Sequence, residues 1–171
     1  MKKVIFLDID GVLNTALWHS LANRGKMKDK YGYKFDPKAV ANLKKILDET
    51  GADIVISSSW KMFMGLSGLQ AMWEERSLSG KVIDVTPNSV SDEMLLTANL
   101  DSIHMTNIRG SEIKEWLMLY GKDVSHYVIL DDMNDVLHEQ QPHFVWIDPE
   151  VGITEGNAAQ AIMILNHLQD A

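Results

Sequence analysis

The sequence predicts an α/β domain in three layers, with a central, mainly parallel sheet of five strands between helices. Three observations support this class: a length of 171 residues that suits one domain, five short apolar runs, and amphipathic segments between them. Parallel strands are apolar along their whole length because helices cover both faces of the sheet. Alternation of strands and helices implies right-handed crossovers and one sheet.

The five apolar runs are predicted to be the strands, since each is four or five residues long and is bounded by polar residues. In order, they cover residues 4–7, 53–56, 81–85, 127–130 and 144–147. No linker rich in Pro, Gly or Ser interrupts them. We therefore expect residues 1–171 to form a single domain.

Helical periodicity fills the segments between the strands, with apolar residues recurring on one face. The predicted helices cover residues 37–50, 67–76, 111–120 and 157–168. Asp36 is a suitable N-cap, Pro37 suits the first helical turn, and Gly51 is a suitable C-cap.

Composition and charge exclude several functions. The absence of cysteine excludes a disulfide scaffold, a thiolate zinc site and a cysteine nucleophile. The short apolar run after Met1 is too short for a signal peptide, and no run approaches a membrane span, so a cytoplasmic location without membrane contact is expected. A net charge of −8 argues against a general nucleic-acid coat. Residues 24–45, however, hold eight basic residues against two acidic ones, and this segment would attract anions.

Two pairs of carboxylates follow predicted strands. Asp8 and Asp10 follow the first strand, and Asp131 and Asp132 follow the fourth. Because sites in open α/β sheets lie beyond the carboxyl ends of the strands, the four side chains should converge. Their repulsion calls for a cation, and oxygen ligands favour Mg²⁺ over zinc. The alternative for either pair alone is a carboxylate that caps a strand-to-helix turn.

Hydroxyl groups and cations near the same edge suit a phosphate group. Three serines follow the second strand, although serines there are also ordinary turn formers: Ser57, Ser58 and Ser59. Three cations are candidate phosphate ligands: Arg109, Lys61 and Lys114. Arg109 ranks first because a guanidinium holds two oxygens at once, with a structural ion pair as the alternative.

The motifs DIDGVLN, ISSSW and LDDMND, each after a predicted strand, resemble those of the haloacid dehalogenase-like (HAD) superfamily. That superfamily comprises hydrolases with an aspartate nucleophile on a Rossmann-like sheet, and the resemblance covers nearly the whole chain. The stretches SSSWK, RGSEIKEWL and LDD further resemble a small HAD branch, with a minimal cap, that is linked to nucleic-acid repair proteins.

The resemblance implies a role for each residue that matches a motif. Asp8 would be the nucleophile, Asp10 the acid and base, and Ser58 the hydroxyl that binds the phosphoryl group, unless Ser57 or Ser59 holds that position. Asp8, Asp10, Asp131 and Asp132 would hold Mg²⁺. Asp135 would support these ligands without contacting the ion. The lysine that usually precedes the acid pair is missing, and Arg109 or Lys114 would replace it.

The expected activity is therefore a Mg²⁺-dependent phosphatase that acts through an aspartyl phosphate, with a nucleotide or a nucleic-acid end as the candidate substrate. Because the site would be open, a phosphorylated protein and a small metabolite are equally plausible substrates. The alternatives are a binding module for phosphorylated ligands and a phosphotransferase to an alcohol. Residues 15–36 form a basic flap insert, too small for a lid, whose aromatic residues either stack on a nucleotide or pack within the flap. Trp60 likewise either stacks on a base or packs beneath its loop. The sequence predicts no particular oligomeric state.

Overall fold

The five predicted strands lie side by side in one sheet, and every neighbouring pair runs parallel. A computed structural model of the chain describes residues 2–22, 27–88 and 108–167. In chain order the elements are β1 (Lys2–Leu7), α1 (Ala16–Ala22), β2 (Lys28–Asp29), β3 (Gly32–Tyr33), α2 (Pro37–Thr50), β4 (Asp53–Ile56), α3 (Trp60–Glu75), β5 (Val82–Val85), α4 (Ile108–Tyr120), β6 (Val124–Asp131), β7 (Phe144–Trp146) and α5 (Glu155–His167). Short 3₁₀ helices at Gly121–Asp123 and His138–His143 precede β6 and β7.

The strand order is β5–β4–β1–β6–β7, so β1 lies at the centre between β4 and β6. Parallel neighbours of this kind need helical crossovers, which the α/β alternation provides. The predicted fold class is confirmed, and the sheet is parallel throughout rather than mainly parallel.

Helices cover both faces of the sheet and so produce the three predicted layers. Side chains of β1 alternate between two apolar clusters. Ile5 and Leu7 contribute to the larger cluster, which contains residues of α2, α3 and α5. Val4 and Phe6 contribute to the smaller cluster, where Trp116 of α4 packs edge-on against Phe6.

The caps predicted for α2 are confirmed. The Asp36 side chain accepts a hydrogen bond from the backbone N–H of Lys38, and Gly51 ends the helix with a positive φ of 66°. Three helices begin earlier than the sequence predicts. The largest difference is in α3, which begins at Trp60 instead of residue 67 and contains a break at Gly65. Glycines at 65 and 68 obscure the helical pattern of this first stretch.

The predicted flap insert contains α1 and a two-stranded hairpin of β2 and β3. Its aromatic residues mostly pack against one another or bond to the flap backbone. The Trp18 indole N–H donates to the carbonyl of Lys34 at 2.9 Å, and His19 lies against Tyr33 with ring centroids 5.0 Å apart. Within the basic segment, Arg24 and Lys26 lie outside the described residues, as does residue 168 of the predicted last helix.

Among the helices that the structure describes, none is both long and apolar enough for a membrane span.

Candidate active site

The carboxyl ends of β1, β4 and β6 meet at one edge of the sheet. The backbone N–H of Asp8 donates to the carbonyl of Leu130 at 3.0 Å, and the N–H of Ser57 donates to the carbonyl of Leu7 at 3.0 Å. These bonds extend the parallel ladder by one residue beyond the strand ends. The backbone thereby fixes the residues that carry the predicted chemistry.

Three of the predicted acids converge at this edge. Asp8, Asp131 and Asp132, which we call the acid cluster, each place one carboxylate oxygen within 4.8 Å of the others. Asp8 and Asp131 are almost completely buried. Gly11 has a positive φ of 76°, and a Cβ at this position would overlap the Asp132 carboxylate. A glycine is therefore needed for both backbone geometry and space.

Burial makes the ionised form of these carboxyls costly. It raises the pKa of Asp131 to about 7, with a further contribution from the negative charge of Asp8. The pKa of Asp8 is also raised, mainly by burial, although the guanidinium of Arg109 opposes the change. Without a further cation, the cluster therefore tends to retain a proton near neutral pH.

The acid cluster fits a divalent metal ion. The Oδ2 atom of Asp131 is buried and accepts no hydrogen bond among the described residues, although the guanidinium of Arg109 lies beside it, so it can still coordinate a metal ion. Clustered carboxylate oxygens without sulfur or imidazole are the ligands that Mg²⁺ prefers.

Arg109 is the predicted cation that reaches the cluster. Its Nη1 lies 3.7 Å from Oδ1 of Asp8, and its Nε lies 3.3 Å from Oδ2 of Asp131. Nη1 is buried without a hydrogen-bond acceptor among the described residues, so it retains a free donor. The carboxylate of Asp135 accepts the backbone N–H of Arg109 at 3.1 Å, which places Asp135 behind the cation rather than in the cluster.

The three predicted serines occupy different environments. The Ser58 hydroxyl donates to the Asp8 carboxylate, and the residue is fully buried. The Ser57 hydroxyl is buried and has no hydrogen-bond partner among the described residues, whereas Ser59 is exposed at the start of α3. Ser58 is therefore the serine whose hydroxyl contacts the predicted nucleophile.

The two predicted lysines also differ. Lys61 is buried, and its ammonium donates to Oε2 of Glu112 at 2.5 Å and to the hydroxyl of Thr86 at 2.8 Å. Burial lowers its pKa and Glu112 opposes this, while the charge of Asp8 also acts on Lys61. Lys114 instead pairs with Glu139 at 2.9 Å on the exposed surface. Of the two predicted replacements for the missing lysine, Arg109 is the one that contacts the cluster.

Asp10 lies beside the cluster, but its carboxylate is not among the three converging groups. Its Oδ2 accepts the indole N–H of Trp60 at 2.9 Å, and its Oδ1 accepts the side-chain amide of Asn14 at 3.1 Å. Two donors thus orient this carboxylate separately from Asp8. The acid–base role fits this arrangement, and the metal-ligand role of Asp10 stays a prediction.

Sequence reasoning missed several partners of these residues. The sequence suggests only stacking or packing for Trp60, and the bond from its indole N–H to Asp10 was not predicted. Sequence reasoning also missed Glu112, which meets Lys61 across 51 positions of sequence. Asn14 alone had a local signal, since it lies in the same DIDGVLN stretch as Asp10.

Comparison with known proteins identifies a family. A family model described as the HAD domain in Swiss Army Knife RNA repair proteins matches residues 4–158, which include every predicted site residue. No curated protein matches the chain.

Proposed function

Because the chain belongs to the HAD domain family of Swiss Army Knife RNA repair proteins, we propose that it is a Mg²⁺-dependent phosphatase. In this proposal it hydrolyses a phosphate monoester on a nucleotide or a nucleic-acid end, through an aspartyl phosphate on Asp8. Family membership supports phosphoesterase chemistry in general. The observation that carries the finer proposal is the convergence of Asp8 with Asp131 and Asp132, with Ser58 and Arg109 bonded or paired to Asp8.

In the first half of the reaction, a carboxylate oxygen of Asp8 attacks phosphorus, and the bond from phosphorus to the leaving oxygen breaks. Asp10 gives its proton to that oxygen, so the alcohol leaves in neutral form. The bonds from Trp60 and Asn14 hold the Asp10 carboxylate in one orientation, which is what an acid must have to meet the leaving oxygen.

In the second half, Asp10 takes a proton from water while the water oxygen attacks phosphorus. The bond between phosphorus and Asp8 then breaks, which releases inorganic phosphate and restores both carboxyl groups. One residue thus serves as acid and then as base, as microscopic reversibility requires.

Positive charge must offset the charge on the transferring group, since Asp8 is an anion that attacks another anion. A divalent ion held by Asp8, Asp131 and Asp132 supplies this charge when bound. Arg109 adds a donor at Nη1, and the Ser58 hydroxyl adds another beside Asp8. Lys61 contributes less than Arg109, because Glu112 engages its ammonium and offsets much of its charge.

A nucleic-acid substrate is supported by the family description and by the basic hairpin. Lys28, Lys30 and Lys34 are exposed in or beside β2 and β3. Such a surface would hold the backbone of an oligonucleotide, and binding should weaken as the salt concentration rises. Equal affinity at low and high salt would contradict this part of the proposal.

The test is the substitution Asp8→Asn, measured with oligonucleotides phosphorylated at the 3′ or the 5′ end. We expect kcat to fall by at least about 10³-fold in the presence of Mg²⁺, because an amide is a poor nucleophile. Asp123→Asn, which neutralises an exposed acid outside the cluster, is the matched control and should retain activity. Full turnover by the Asp8→Asn variant would refute covalent catalysis at this residue.

The same assay separates the two alternatives. Phosphorylated glycerol among the products would indicate transfer to an alcohol, and tight phosphate binding without turnover would indicate a binding module.

A further inference from the structure

A cleft of about 460 Å³ opens beside Asp10, and its described lining includes none of the three residues of the acid cluster. We call it the aromatic cleft. Its lining residues are Asp10, Lys30, Tyr31, Ser59, Trp60, Phe63, Met64 and Gly68. The volume falls within the range of roughly 300–1,000 Å³ that is usual for small-molecule sites.

One wall of the aromatic cleft is a run of apolar side chains at the start of α3. Trp60 and Met64 are partly buried against the core, whereas Phe63 is 85% exposed. Gly65, with a positive φ of 61°, breaks the helix directly after this run. Phe63 lines the same cleft as Trp60 and Met64, so the exposed ring is part of a continuous apolar wall on which a ligand could pack.

The opposite wall comes from the hairpin and is held in place by α3. The Tyr31 hydroxyl donates to Oε1 of Glu75 at 2.9 Å, and the Lys30 ammonium donates to the same oxygen at 2.7 Å. Below them, Arg76 binds both carboxylate oxygens of Asp29 at 2.8 and 2.9 Å. The hairpin wall is thus bonded to the C-terminal end of α3, whose first turns carry the other wall, so contacts within the protein hold the two walls together before any ligand binds.

Trp60 connects this cleft to the chemistry. Its ring lines the cleft, and its indole N–H donates to Asp10, the proposed acid. Since the acid must contact the leaving oxygen, a group that fills the cleft is the remainder of the leaving group. The cleft therefore lies on the leaving-group side of the transferring phosphorus.

We propose that the aromatic cleft binds the nucleobase of the leaving nucleoside, so that the enzyme prefers substrates with a base at the phosphorylated residue. This inference rests on the proposed function. Flat apolar rings suit a planar base, and base–aromatic stacking tolerates different sequences. Lys28 and Lys34, exposed on the neighbouring hairpin, favour an anionic polymer, and the flat apolar walls favour one that carries planar bases over an acidic peptide.

The experiment compares two phosphorylated oligonucleotides that differ only in the base of the phosphorylated residue, which is either present or replaced by an abasic site. We expect kcat/KM to be about tenfold higher with the base present. Phe63→Ala should bring this ratio close to one. Met118→Ala removes an exposed apolar side chain of α4 that does not line the cleft, and it should leave the ratio unchanged.

Equal kcat/KM values for the two oligonucleotides, or a ratio that Phe63→Ala does not alter, would overturn the inference while leaving the phosphatase proposal intact. Faster hydrolysis of a phosphotyrosine peptide than of any nucleotide would also overturn it.

Adenosine, which carries no phosphate, tests the cleft independently of catalysis. We expect saturable binding in calorimetry that is lost in Phe63→Ala and retained in Met118→Ala. If no phosphate ester is hydrolysed but adenosine binds in this way, the proposed function fails and the base site remains. If adenosine does not bind even at millimolar concentration, the base site is refuted.

Discussion

The acid cluster and the aromatic cleft lie side by side around Asp8 and Asp10, but the fold builds them in different ways. Backbone hydrogen bonds between adjacent strands position Asp8 and Asp131. Side-chain contacts between a hairpin and a helix position the cleft, for example Tyr31 with Glu75, 44 residues apart in sequence. One region is buried and charged, and the other is open and largely apolar.

This difference assigns the reaction chemistry to the acid cluster and the preference among substrates to the aromatic cleft. Changes in the acid cluster should reduce the hydrolysis of every substrate, because they alter groups at the transferring phosphorus. Changes in the cleft should alter the preference among substrates. A cluster variant that loses activity on only some substrates would contradict this division of roles. So would a cleft variant that loses activity equally on all substrates.

The largest effect is expected from removal of a cluster carboxylate. Asp132→Ala should lower kcat by at least about 10³-fold on base-bearing and abasic substrates alike, because it takes away one of the three converging ligands. It should also abolish the rise in melting temperature that Mg²⁺ produces, as measured by calorimetry. A normal metal-induced shift in this variant would place the ion elsewhere.

A smaller loss should follow from changing the cation beside the cluster. Arg109→Ala should lower kcat by about 10²-fold on all substrates, since it removes a donor and a charge beside Asp8. Arg109→Lys should recover part of this loss, because an ammonium keeps the charge without the planar fork. Lys114→Ala, which breaks only an exposed pair with Glu139, should cost less than either. The reverse ranking would give Lys114 the phosphate-binding role.

The pH dependence of stability should reveal the proton that the acid cluster retains in the folded, metal-free protein. The pKa of Asp131 is about 7 in the folded protein against an ordinary value of 3.8, so the folded metal-free protein holds a proton that the unfolded chain releases in this window. The free energy of unfolding of the metal-free protein should therefore fall as the pH rises from about 4 to about 7, by an amount on the order of a few kcal/mol.

Magnesium should stabilise the protein more at pH 8 than at pH 5.5, because it binds the deprotonated cluster. Asp131→Asn should weaken the pH dependence of the metal-free protein and raise its melting temperature in chelator. A steeper pH dependence in this variant would contradict the assignment.

The smallest effect on activity is expected where the hairpin joins α3. Arg76→Ala breaks the paired bonds to Asp29 and should lower the melting temperature, by about 2–4 °C for each kcal/mol lost. It should also reduce the preference for base-bearing substrates, but less than Phe63→Ala does. Lys44→Ala, which breaks an exposed pair with Asp48, is the control and should change neither quantity. Equal loss of activity on abasic and base-bearing substrates would mean that the hairpin also supports the cluster.

The same difference explains why the acid cluster could be predicted from the sequence and the aromatic cleft could not. Short apolar runs identify the strands, and acids that directly follow a parallel strand must lie at one edge of the sheet, so Asp8, Asp131 and Asp132 were predictable. The chemistry of the guanidinium ranked Arg109 first among the candidate phosphate ligands, but whether Arg109 or Lys114 replaces the missing lysine depended on which helix face meets the cluster. Sequence spacing alone does not settle that orientation.

The aromatic cleft had no comparable signal. Its α3 wall begins seven residues before the predicted helix, because Gly65 and Gly68 weaken the helical pattern. The bond between Trp60 and Asp10 joins residues 50 positions apart, and it forms only after β1 and α3 pack together. Contacts of this kind depend on tertiary packing, which local pattern does not encode.

The most direct test of the nucleophile is to trap the phosphorylated enzyme. Borohydride, added during turnover of a phosphorylated oligonucleotide with Mg²⁺, reduces an acyl phosphate to an alcohol, which peptide mass spectrometry locates. We expect the modification at Asp8 in the native protein and none in the Asp8→Asn variant. Modification of a different carboxylate, or steady turnover with no modified residue, would contradict the account.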